Sequence, residues 1–239
     1  ELAAAVQLAV HSGMNRLKAF EVIRRVLEIA DVTGRRVASA ALKEFGGAEA
    51  NELVWASLDD SDPLVQANVT AQLRDRGIPG AISRLIQLLD SPHDVVRTTA
   101  QECLTEFNFR QYITVFDMMD EDVRISTGAL VSRVDPNAAN ELREELRSLA
   151  HTRRLRALEA AVAMNAVPQV EPLVIGLLGE DDHFIRAEAA RTLAHCDTPM
   201  SRKALRDALL DRSVSVRETA EWSLQVLSEP TVRETTDGR

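Results

Sequence analysis

Asp181-Asp182-His183-Phe184-Ile185-Arg186-Ala187-Glu188-Ala189-Ala190-Arg191-Thr192-Leu193 places an acidic turn ahead of an aliphatic-Arg pair, then small and apolar residues at helical spacing. The pattern recurs along the chain. Pro63-Leu64-Val65-Gln66 to Leu73, Asp94-Val95-Val96-Arg97 to Leu104, Asp122-Val123-Arg124 to Val131, Leu155-Arg156 to Val162 and Ser215-Val216-Arg217 to Leu224 follow the same plan. A weaker copy runs from Arg36 to Lys43. Aligning Arg36, Gln66, Arg97, Arg124, Arg156, Arg186 and Arg217 gives a period of about 30 residues, within the range of solenoid repeats.

Composition agrees with a stack of helices. Hydrophobic residues make up 45% of the 239 and aromatic residues only 4%, which suits helices interlocked through Ala, Leu and Val better than a sandwich or barrel. A net charge of −9 disfavours phosphate backbones, so no nucleic-acid partner is expected. Two cysteines, Cys103 and Cys196, are too few for a disulfide framework and point to a reducing, cytoplasmic setting. The apolar stretch Leu2 to Val10 lacks a basic flank and is too short to span a bilayer, so no membrane span is expected.

Taken in order, residues 1–12 are expected to form the second helix of a repeat whose first helix lies upstream, because Val6-Gln7 resembles Val65-Gln66. Helices are then expected over Arg16 to Ala30, Arg35 to Phe45, Ala48 to Leu58, Leu64 to Arg76, Ala81 to Leu89 and Val95 to Glu106. Asp59-Asp60-Ser61-Asp62-Pro63 and Asp90-Ser91-Pro92 supply cap and first-turn residues between them. Arg97 and Arg124 stand only 27 residues apart, and that shortened unit gathers Phe107, Phe109, Tyr112 and Phe116 with Met118-Met119. Gly128, where other copies carry Ala or a larger residue, allows either a close helix approach or a pocket. Helices follow over Ala138 to Leu149, Arg153 to Ala166, Pro168 to Leu178, His183 to Ala194, Met200 to Leu210 and Val214 to Leu227; residues 228–239 read as an irregular tail. The result is one array over residues 1–227.

A turn acid, Val-Arg, Ala at the third residue after the Arg and an apolar residue at the seventh resemble HEAT repeats, specifically the short type also found in phycobilin lyase subunits. The resemblance covers about residues 15 to 227. It implies an all-α, right-handed superhelix of about seven antiparallel helix pairs, acting as a non-catalytic scaffold that binds a protein partner along its concave surface. A lyase-like subunit cradling a tetrapyrrole is the first alternative it implies, and a nucleic-acid-binding HEAT-like protein, which the net charge disfavours, is the second. Gln66 in place of Arg, and Thr127-Gly128 in place of Ala, depart from the pattern. Some HEAT-like proteins are metal-dependent hydroxylases with paired His-Glu motifs; His11, His93, His151, His183 and His195 are never followed by Glu. No Gly-rich phosphate loop, nucleophile elbow or zinc spacing occurs, so neither a catalytic residue nor a cofactor or metal site is expected, and the chain is expected to be monomeric.

Two sets of residues stand out. Arg36, Arg97, Arg124, Arg156, Arg186 and Arg217 lie within the apolar arc of their helices and are expected to form a structural ladder with turn carboxylates, such as Glu180 with Arg186 or Asp211 with Arg217. The opposite side of each inner helix falls at the second, fifth and ninth residues after the ladder position. That surface includes Glu102, Glu106, Arg133, Asn165, Glu188, Arg191, His195 and Trp222, with Glu188 and Arg191 central to the expected partner site. Trp222 is the one aromatic residue among them, and it serves either as a binding anchor or as a cover for the end of the core.

Overall fold

The protein, seen in a computed structural model, is described over residues 1–229. These residues form fifteen α-helices and no strand, divided into two compact units, residues 1–105 and the residues from 106 onward. Unit 1 contains α1 (Leu2–His11), α2 (Arg16–Ile29), α3 (Val32–Ala41), α4 (Ala48–Ser57), α5 (Pro63–Thr70), α6 (Ala81–Leu88) and α7 (Asp94–Cys103). Unit 2 contains α8 (Phe109–Val115), α9 (Glu121–Val134), α10 (Ala138–Leu146), α11 (His151–Ala163), α12 (Val167–Leu177), α13 (His183–Leu193), α14 (Pro199–Ala208) and α15 (Val214–Ser228). From α2 onward each even-numbered helix packs on the odd-numbered helix after it, giving seven pairs. Within each unit the odd-numbered helices also pack neighbour to neighbour, so the repeated motif forms a continuous row. None of these helices is long and apolar enough to cross a membrane.

Caps set where the helices begin. The Asp31 carboxylate accepts the Gly34 N–H at 2.9 Å, so α3 starts at Val32 instead of the expected Arg35. Asp62 does the same for α5, accepting the Leu64 and Val65 N–H groups, each at 3.1 Å, and Pro63 fills the first helical position. That carboxyl also takes two hydrogen bonds from Arg36, and the guanidinium together with these N–H groups holds its pKa at about 2 despite burial. At the other ends, α5 stops at Thr70 and α10 at Leu146, short of the expected Arg76 and Leu149. Leu149 is 98% exposed, so no apolar contact draws it into a further turn. The expected tail begins one residue later than Ser228, which closes α15; residues 230–239 lie outside the described residues.

The helix starts also fix the ladder. The fourth residue of each odd-numbered helix from α3 onward is Arg35, Gln66, Arg97, Arg124, Arg154, Arg186 or Arg217. Arg35 and Arg154 therefore take the places expected for Arg36 and Arg156. Both errors arise where the chain carries several arginines close together, Arg35-Arg36 and Arg153-Arg154-Leu155-Arg156, and only the cap position separates them. Arg36 points instead to Asp62, and Arg156 back to Asp117.

Two interactions define a rung. The first is a hydrogen bond to a backbone carbonyl five or six residues upstream. Gln66 Nε2 donates to Asp60 at 2.6 Å, Arg97 to Ser91 at 2.6 Å, Arg186 to Glu180 at 2.8 Å and Arg217 to Asp211 at 2.7 Å. Arg35 and Arg124 donate similarly to Ala30 and Met119. The expected partners were turn carboxylates of the same or a neighbouring repeat; within the same turn the acceptor is instead a carbonyl that the preceding turn leaves unpaired, which an amide satisfies as well as a guanidinium. The second interaction reaches forward to the turn of the next repeat. Arg35 forks onto Asp60 at 2.9 and 3.1 Å, Arg154 meets Glu180 at 2.9 Å, and Arg186 forks onto Asp211 at 2.8 and 2.9 Å. Arg186 is 3% exposed, the most buried of the rungs.

The shortened unit is mainly core. Phe109, Tyr112 and Phe116 are buried, with Tyr112 and Phe116 edge to face at 5.4 Å, while Met118 is exposed. Gly128 marks a close approach: a Cβ there would stand 2.6 Å from Tyr112 Oη and 2.9 Å from the Ala163 carbonyl oxygen.

Asn165 has a backbone task. Its φ of 52° places it in the left-handed region, where it ends α11 while the Ala166 N–H reaches back to the Ala161 carbonyl at 2.8 Å. Asn165→Gly is expected to leave stability within about 0.5 kcal/mol of wild type, and Asn165→Val to lower it by about 1–2 kcal/mol, since β-branched residues resist that conformation. Urea unfolding of the two variants checks this.

Candidate functional site

The row of odd-numbered helices in unit 2 carries the candidate site. In α13, Ile185, Ala189, Ala190 and Leu193 are buried, and this turns Glu188, Arg191 and His195 away from the core. In α11 the corrected register brings Glu159 and Ala163 to the equivalent places. These residues meet in a cleft of about 320 Å³, floored by Val162, Ala163, Ile125 and Phe116 and edged by Glu159, Glu188, Arg191, His195, Glu121 and Arg124.

The charges of the cleft are coupled. Arg124 lies 4.6 Å from the centre of the Phe116 ring and 3.3 Å from the Glu159 carboxylate. Glu188 Oε2 stands 3.5 Å from Arg191 Nε. Burial raises the Glu188 carboxyl above its ordinary range, Arg191 opposes the rise, and the Glu159 charge adds to it. Partial burial holds the His195 imidazole below its ordinary value. A cleft with an apolar floor and alternating charges at its edge fits an amphipathic segment better than a highly charged one.

Beside it lies a second groove of about 290 Å³, lined by Arg191, Glu218, Thr219 and Trp222. Val216, Ala220 and Ser223 form the buried side of α15, and the Ser223 hydroxyl donates to the Ala190 carbonyl at 2.9 Å. That bond fixes α15 against α13 and leaves the Trp222 indole 47% exposed. Arg191 borders both grooves.

The remaining expected residues fall elsewhere. Glu102 lines a groove of unit 1 together with Asn68, Asp75 and Thr99. Glu106 follows α7 in the turn before α8, Arg133 lies in the last turn of α9, and Asn165 ends α11; none of the three lines either unit 2 groove. Glu159 and Ala163 were missed because the register of α11 was counted from Arg156. Counting from Arg154 places both at the fifth and ninth positions.

Most of the turn acids are engaged in holding the fold. Asp59 pairs with Arg84, Asp60 with Arg35, Asp117 with Arg156, and Asp182 accepts the Phe184 N–H at 2.8 Å while meeting His151 at 2.5 Å. Among the described residues no group of three or more His, Cys, Asp or Glu is placed to hold a metal ion.

A family model of HEAT repeats matches residues 20–105 and 128–225. No curated protein sequence matches the chain. Among solved structures, human deoxyhypusine hydroxylase in complex with glycerol is 17% identical over 95% of each chain, with a TM-score of 0.39. An engineered protein is 20% identical over 90% of this chain and 99% of its own, with a TM-score of 0.36. An archaeal HEAT-like repeats protein from Thermococcus onnurineus is 14% identical over 95% of this chain and 92% of its own, with a TM-score of 0.33.

Proposed function

Because the chain belongs to the HEAT-repeat family, we propose that it is a non-catalytic interaction module that takes a segment of a partner protein along the odd-numbered helices of unit 2. The observation that carries this reading is the Trp222 indole, half exposed beside Arg191 in a groove that shares this arginine with the Glu188 cleft. Large aromatic and guanidinium side chains are the commonest sources of binding energy in protein interfaces. The apolar floor formed by Val162, Ala163 and Ile125 accepts an aliphatic side chain, and the Glu159, Glu188 and Arg191 charges set its direction.

The test starts from a partner captured from the native cell with the full-length chain. Trp222→Ala is expected to weaken that partner by at least about 2 kcal/mol, roughly 30-fold, with melting unchanged. Glu188→Lys combined with Arg191→Glu is expected to abolish detectable binding. Full affinity in both variants would move the partner site away from these helices.

A further inference from the structure

Arg76 differs from the ladder arginines. It lies in the turn after α5, half-buried, and all its hydrogen bonds go to neutral acceptors. Nη2 donates to the Leu42 carbonyl at 2.6 Å and to Gln72 Oε1 at 2.9 Å, Nε to Gln72 Oε1 at 3.3 Å, and Nη1 to Asn51 Oδ1 at 3.0 Å. Where Arg35, Arg154 and Arg186 each meet a carboxylate, none among the described residues pairs with Arg76. Burial lowers its pKa with no carboxylate acting against it. A partly buried cation held only by neutral acceptors is electrostatically incomplete.

The position of Arg76 makes this consequential. It borders a groove of about 860 Å³ on the α5 and α7 side of unit 1, within the size range of ligand pockets. Leu64 and Val95 are partly exposed on its wall, at 42% and 37%. Glu44, Asp75 and Glu102 border the groove together with Arg16 and Lys43, so that with Arg76 it carries no net positive charge, which weighs against a multiply charged phosphate and in favour of an anion carrying one charge. Aliphatic contacts next to a single charge are what a peptide segment offers.

We propose that this groove binds an extended peptide through one carboxylate, which receives a charge-assisted hydrogen bond from Arg76 while neighbouring aliphatic side chains lie on Leu64 and Val95. The site is separate from the one on unit 2, so Trp222→Ala leaves it intact.

The experiment titrates the isotope-labelled full chain by NMR with the peptide acetyl-Ala-Leu-Glu-Val-Ala-amide, with its Gln counterpart, and with inorganic phosphate. The expected result is at least tenfold tighter binding of the Glu peptide than of the Gln peptide, with the Arg76 Nε–H and the Gln72 and Asn51 side-chain amides shifting together. Arg76→Gln, verified to melt like wild type, is expected to lose the discrimination. Equal affinity for the two peptides, shifts confined to other residues, or discrimination that persists in Arg76→Gln would overturn the proposal. Tighter binding of phosphate at the same residues would overturn the assignment to a carboxylate. If Arg76→Gln fails to fold, the wild-type shifts and the peptide ratio decide alone.

Discussion

Replacing Arg186 with Ala lowers the stability of unit 2 by about 3–5 kcal/mol, because it removes one partner of a buried pair and leaves the other behind. Arg186 spans two carbonyls of its own turn, Glu180 and Asp181, and both carboxylate oxygens of Asp211 in the next. Without it, Asp211 keeps only its hydrogen bond from the Ser213 N–H at 2.7 Å in a place where water is largely excluded. Arg186→Lys recovers only part of the loss, since an ammonium cannot span this fork. The guanidinium holds the Asp211 carboxyl below its ordinary range. The pair's contribution is therefore complete above the unfolded carboxylate pKa of about 3.9 and is lost as pH falls through the lower folded value. Urea unfolding at pH 7 and at steps down to pH 3 checks both parts: the gap between wild type and Arg186→Ala should narrow on acidification. A gap that stays constant would remove Asp211 from the account.

Gly128→Ala is expected to cost about 2–3 kcal/mol, the upper part of the range for overpacking. The new methyl meets two atoms with little freedom. Tyr112 Oη is held by its hydrogen bond to the Arg124 carbonyl at 2.9 Å, and the Ala163 oxygen belongs to helical backbone. Tyr112→Phe in the same chain removes the first obstacle and not the second, so the double variant should recover about half the loss relative to Tyr112→Phe alone. Thermal unfolding of the four proteins measures this coupling. Additive effects would mean that the hydroxyl and the methyl never meet.

The repeat, its helical character and most helix positions are legible in the sequence because each rests on local chemistry. Asp62-Pro63 caps α5 as its residues suggest, and the apolar positions Val65, Val69 and Leu73 are all buried. Register was harder to read. Near Arg35-Arg36 and Arg153 to Arg156 several residues meet the requirement for a guanidinium on the apolar arc, and the choice depends on where the helix starts. For α3 that is decided by a single Asp31 hydrogen bond. An error of two residues in α11 then moved the expected surface position from Ala163 to Asn165 and passed over Glu159. Gln66 read as a lapse in the pattern because the pattern was taken to require a charge. Arg76 gave no signal, since its singularity consists in lacking a partner that only folding brings near its counterparts.

The forward arm of the rung has a mechanical meaning. Arg35 and Arg186 each tie a turn to another 25 residues further along the chain, so a displacement of one turn is passed directly to the next. Gln66 satisfies the carbonyl behind it and is too short and uncharged to grip a carboxylate ahead. Unit 1 thus carries a forward arm between the turns of α3 and α5, while Gln66 supplies none between the turns of α5 and α7. The Leu64 and Val95 wall is contributed by the helices on either side of the place where that arm is missing.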